Sequence, residues 1–246
     1  MIVKRFAGAL RRQDWMAVAL EFLLVVLGIL IAFQINDWSA NRQARVERTA
    51  ATERLLEEAE SDVAYIRQAV AYQQGNVDAL RQLALAISST GRLRASEPGF
   101  AKQIARARVM VPLAPPSSVY DDIASSGELS QVGDIAVRSS ISRYRSTLSF
   151  EERGRQQFQT ILSDFQRIAA FRFRTDEQGL LSVDVDIPSL AADANARQLV
   201  ALTAENHRVV LMLRTRALRD AERMCVALAR AVGRSCKLNQ TPPSFD

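Results

Sequence analysis

Histidine and cysteine are nearly absent: the 246 residues hold one His and two Cys, so a four-ligand Cys/His zinc centre cannot be assembled within the chain. Glycine and proline are sparse, at 10 and 7 residues, which leaves too little turn material for a many-stranded β protein and excludes a collagen-like one. No G-x-S-x-G, P-loop or G-x-G-x-x-G pattern occurs. Any Ser/His or Cys/His nucleophile pair must use His207, whose place on an apolar helical stripe near Glu205 predicts a buried core residue instead. Asp184 and Asp186, with Asp176 and Glu177 upstream, lack the glycine and spacing of a calcium loop. A dominant charge is also missing. Lys plus Arg is 32 against 27 acids, a net +5, and the arginines are scattered among the acids with no basic block interleaved with aromatics. Solvated helix faces account for that pattern better than a nucleic-acid surface does. The expectation is a protein that is not an enzyme, with no catalytic residues, no metal, no cofactor and no nucleic-acid partner.

What the chain does have is a long apolar run, Met16 to Ile35, interrupted only by Glu21 and Gln34. A bilayer core about 30 Å thick needs roughly 20 apolar residues in a helix. The only two tryptophans, Trp15 and Trp38, bracket the run, about 35 Å apart along a helix axis, the spacing of an interface belt at two membrane surfaces. A cleaved signal peptide fits poorly, because cutting after Ala32 or Ala40 would put Leu30 or Trp38 at the −3 position. The run therefore reads as an uncleaved signal anchor in the lipid bilayer. Lys4, Arg5, Arg11 and Arg12 precede it, and Arg42, Arg45, Arg48 and Arg54 follow it. With the amino terminus, the count slightly favours a cytoplasmic N-terminus and an extracytoplasmic remainder. Glu21, Gly28 and Ala32 share one face of the span with Val25 and Asn36. Gly28-x-x-x-Ala32 is a small-residue pair that allows two helix backbones to approach, and Glu21 either joins that face or snorkels to the interface.

From Trp38 to Ser89 the chain contains no proline and a single glycine, Gly75. Leu56, Val63, Val70, Val77 and Ala84 are seven apart, as are Ala59, Ile66, Gln73, Leu80 and Ile87, and nine of these ten positions are apolar. This is an a/d seam on a long helix. Ser88, Ser89, Thr90 and Gly91 are its stop signals. A short helix over 97–108 and a proline-broken extended connection over 109–118 follow. Ser117 is positioned to cap a helix through Tyr120 to Ser126, with Gly127 as its left-handed end. Asp134 caps a longer helix with a stripe from Val137 through Phe158 to Ala169, with a local break or bend near Glu151, Gly154 and Arg155. After Phe173 comes a loop with a short strand at Leu181 to Val185. A last helix runs from Leu190 to Val232 with His207, Arg214 and Cys225 on its stripe, ended by Gly233. The fold class is all-α: an N-terminal transmembrane helix (16–36) after a cytoplasmic segment (1–15), continuing through a stalk (37–54) into an antiparallel helical bundle (55–236) and a tail (237–246).

Cys225 and Cys236 flank the turn at Gly233. A chain folding back there can cover the distance between them, so a disulfide is sterically reachable in an oxidising compartment; the alternative is two free thiols.

Gly28 to Trp38, GILIAFQINDW, resembles the signature with which an uncharacterised family of bacterial single-span proteins closes its membrane helix, G-I-x-I-A-x-Q-x-N-x-W. Val119 to Leu129, with Tyr120, Ser126, Gly127 and Leu129, resembles a second landmark of that family, a turn before a helix. The resemblance implies a small inner-membrane anchor with an α-helical domain and brings no activity with it. The leading functional expectation is a membrane-tethered interaction module, self-associating as a homo-oligomer or binding another envelope protein, with its C-terminal domain in the periplasm. Two alternatives stay open: a sensor whose bundle binds a small ligand in a polar-lined cavity, and an enzyme using an acidic pair, Asp121 with Asp122 or Asp184 with Asp186.

Overall fold

A computed structural model of the chain describes residues 15–88, 100–175, 179 and 181–238. Its elements in chain order are α1 (Trp15–Ser88), α2 (Phe100–Ala107), α3 (Ser118–Ser125), a 3-10 turn (Glu128–Gln131), α4 (Ile135–Gln157), α5 (Gln159–Gln166), β1 (Phe171–Thr175), β2 (Leu181–Val185), α6 (Ile187–Ala192) and α7 (Ala194–Ala231). Among the described residues the chain is all-α apart from one hairpin, in which β1 and β2 pair antiparallel with Phe171 opposite Val185. The segment before Trp15, the stop signals Ser89, Thr90 and Gly91, the acids Asp176 and Glu177 and the tail after Leu238 lie outside the described residues.

The chain divides into two compact units, residues 1–50 and 51–246. In the first, every described side chain from Ala19 to Gln43 is exposed, including Leu23, Leu27, Leu30 and Phe33. The apolar stretch has a mean hydropathy of 2.2 and none of it is buried. By length and composition this helix can cross a membrane. After Asn36 the helix turns polar, and Arg42 lies over the Trp38 ring at 5.6 Å.

The second unit has two main cores. In one, Leu56, Ala59 and Val63 of α1 meet Val137, Ile141 and Tyr144 of α4 and Ala217, Ala221 and Leu228 of α7. In the other, Leu80 and Leu83 of α1 meet Phe165 of α5, Phe171 of β1, Val183 of β2 and Val200 of α7. The early part of the α1 seam thus packs on the end of α7 and the late part on its beginning, which makes the two helices antiparallel. All ten seam positions are buried or half-buried.

Four local expectations need correction. The break expected near Gly154 falls further on: α4 runs to Gln157 and ends at Phe158. Glu151 does not interrupt the apolar stripe, because it is itself fully buried. The last helix is not continuous from Leu190. Asp193 interrupts it and its carboxylate accepts the N–H groups of Asn195 and Ala196, starting α7 afresh. A strand, β1, precedes the one expected at Leu181. It was hidden because the alternation in FRFRT puts only Phe171 inside.

The turn between α3 and α4 shows why its glycines are there. Gly127 has φ +79° and Gly133 +50°, and a Cβ on Gly133 would lie 2.7 Å from that of Val137. Ile123 is buried below this turn and Leu129 folds over the same core. Asp134 caps α4 by accepting from Val137 N–H. Ser117 does not cap α3, since its hydroxyl donates to Asp121 instead. Glu58 of α1 takes over, accepting the N–H groups of Val119 at 2.7 Å and Tyr120 at 3.1 Å.

Candidate functional site

Gln73, the one polar residue of the seam, is buried at 1% exposure and organises the interior. Its amide nitrogen donates to His207 Nδ1 and to the His207 carbonyl, both at 2.9 Å. His207 Nε2 lies 2.9 Å from the Ala107 carbonyl, which can only accept. Nε2 therefore carries the proton and Nδ1 accepts from Gln73, one neutral tautomer fixed from both sides. Burial pushes His207 down to about 4, against the opposing pull of the Ala107 carbonyl and with the help of the Arg214 charge. The imidazole is a neutral structural post at pH 7.

Gln73 Oε1 accepts from Arg214 Nη1 at 3.3 Å. Arg214 is 1% exposed, and its Nε donates to Glu151 Oε1 at 3.1 Å while Nη2 donates to the Val111 carbonyl. Burial raises the Glu151 carboxyl pKa and the facing guanidinium pulls it back down. Glu151 Oε2 has no hydrogen-bond partner. An ion pair this dry is poor evidence of stability, but removing one partner would strand the other. Beside it opens a cavity of about 370 Å³, lined by Tyr65, Gln68, Ala69 and Tyr72 of α1, Arg106 of α2, Val111, Pro112 and Arg214. Arg106 lies over the Tyr72 ring at 5.9 Å.

A second buried pair joins α1 to α4, where Tyr144 donates to Asp62 Oδ2 at 2.8 Å. Burial drives Asp62 up to about 7 although the Tyr144 hydroxyl favours its charged form, and the tyrosine is itself pushed far up by burial and by that carboxyl. Cys225 and Cys236 are joined as a disulfide with Cα atoms 5.7 Å apart, inside the usual range. Gly233, at φ +68°, turns the chain back toward α7. Lys237 N–H then donates to Glu60 at 2.8 Å and Arg67 donates to the Leu238 carbonyl, clasping the tail to α1. Glu60 lies close to both sulfurs, but a disulfide offers no thiolate for a metal.

The remaining sequence candidates are separated. Glu21, Gly28, Ala32 and Trp38 are exposed on α1, and a Cβ on Gly28 would meet nothing within 4 Å. Trp15 begins α1. Asp121 pairs with Arg145 and Asp122 with Arg54, so neighbouring carboxylates face different cations. Asp184 pairs with Arg174 on the hairpin, and Asp186 caps α6 by accepting from Ser189 N–H. Glu205 pairs with Arg208 rather than approaching His207.

Sequence pattern flagged Gln73 and Arg214 only as polar members of apolar stripes, and Glu151 as a break. The usable signal was an acid and an arginine on the inward stripes of different helices. The cavity residues Tyr65, Gln68, Tyr72 and Arg106 carried no local signature.

The fold and this site define a helical protein with, among the described residues, one membrane-length apolar helix and a buried polar network beside a cavity. Residues 21–152 match the family of unknown function DUF6090, and the chain belongs to that family. Neither a curated protein nor a solved structure matches the chain significantly.

Proposed function

We propose that this is a non-enzymatic, single-pass membrane protein of the inner membrane. Its N-terminus is cytoplasmic, its helical module is extracytoplasmic, and it self-associates through the span. The observation that carries the reading is the exposed apolar stretch of α1, which no described residue covers and which has the length of a bilayer core. The Cys225–Cys236 bridge supports an oxidising compartment for the module. The open face at Gly28, continued by Ala32 and Glu21, supports close approach of a second copy. The scattered pairing of Asp121, Asp122, Asp184 and Asp186 supports the non-enzymatic reading, since no two of them share a partner.

Crosslinking in native membranes tests self-association. A dimer or higher band that weakens in Gly28→Leu supports it, and a strictly monomeric pattern rejects it. Protease treatment of spheroplasts tests the side: digestion of the module from outside is the expected result, and protection until lysis reverses the topology.

A further inference from the structure

We propose that the cavity beside Arg214 is a binding site for a small organic carboxylate with an aromatic body and a hydrogen-bond donor. Its volume of about 370 Å³ lies at the low end of ligand pockets, enough for a single-ring molecule. Its eight described lining residues include two arginines and no carboxylate, so the field they set favours an anion. Glu151 contacts Arg214 but does not line the cavity.

Arg214 is pre-aimed. Three of its five N–H bonds go to Glu151, Gln73 and the Val111 carbonyl, which fix the plane of the guanidinium at the cavity wall. Arg106 supplies a second cation, held over Tyr72. Gln68 lines the same space, and its side-chain Oε1 is a buried acceptor with no partner. An orphan acceptor costs stability unless a donor arrives, so it asks for a hydroxyl or amine on the ligand. Tyr65, Tyr72, Ala69, Val111 and Pro112 form an apolar wall that an inorganic anion would leave wet. The ring body, the carboxylate and the donor each answer a different part of the lining. This inference does not depend on membrane side or oligomeric state.

The probes are 2-, 3- and 4-hydroxyphenylacetate, each with its amide twin, together with unsubstituted phenylacetate and inorganic phosphate. Binding to the full chain in lipid nanodiscs is read by calorimetry. At least one hydroxyphenylacetate is expected to bind saturably, with its amide about tenfold weaker or worse. Arg106→Gln should lose about tenfold in affinity for the acid and little for the amide. Gln68→Leu should erase the preference over phenylacetate. Arg214 is left intact because its replacement would strand Glu151. No saturable binding of any isomer, equal binding of acid and amide, phosphate binding as well as the acid, or an unchanged Arg106→Gln affinity would each overturn the proposal. Unchanged helical circular dichroism in both variants excludes misfolding as the cause of a loss.

Discussion

The two parts of α1 use their apolar residues in opposite ways. Between Phe22 and Phe33 they point in every direction and all are exposed. Between Leu56 and Ile87 most of the larger ones gather on a seam with a seven-residue repeat, and every position of that repeat is at least half-buried. Distribution around the helix decides the solvent each part suits. An all-round apolar surface needs lipid, whereas a stripe can be satisfied by neighbouring helices. The one polar place in the stripe, Gln73, becomes a hub, while Glu21, the one charge of the apolar run, is exposed.

The comparison can be broken most strongly in the bundle. Glu151→Ala leaves Arg214 uncompensated in the core and should cost about 3–5 kcal/mol, seen as a large fall in urea midpoint with membrane retention unchanged. In the span, Leu27→Arg should cost about 3 kcal/mol of insertion, seen as loss from the membrane fraction while the bundle keeps its helical signal.

A pH series sharpens the contrast between the two buried titrating groups. Asp62 is raised from 3.8 to about 7, so its contribution is full below its unfolded value and is lost as pH rises through about 7. His207 is lowered from 6.5 to about 4, so its contribution is full above 6.5 and is lost as pH falls through about 4. Between these limits the two slopes oppose each other. Asp62→Asn removes the first and should raise stability at pH 8 by about 2 kcal/mol, leaving a stability that climbs with pH from about 4 to 6.5. Urea midpoints at pH 5 and 8 read both effects. The smallest change is Asp134→Ala, which removes the α4 cap and should cost about 1 kcal/mol in the same assay.

Features with a local cause were legible in the sequence. The seam of α1, the Asp134 cap and the left-handed turn at Gly127 each follow from a few neighbouring residues, and each stands where the pattern puts it. The missing features needed partners far along the chain. Glu58 caps α3 from 61 residues away, and Glu151 is buried because Arg214 lies 63 residues on. No periodicity announces such pairs: a buried acid reads as a surface one until its cation is placed. The cavity was invisible for the same reason, since its walls come from α1, α2, the proline-broken connection and α7.

Alkaline carbonate extraction of membranes holding the intact chain is the most direct test that α1 lives in lipid. Sedimentation with the bilayer after the wash is the predicted result. Release of the full-length chain into the supernatant as a folded, monodisperse species would contradict the membrane assignment and the tethering role built on it.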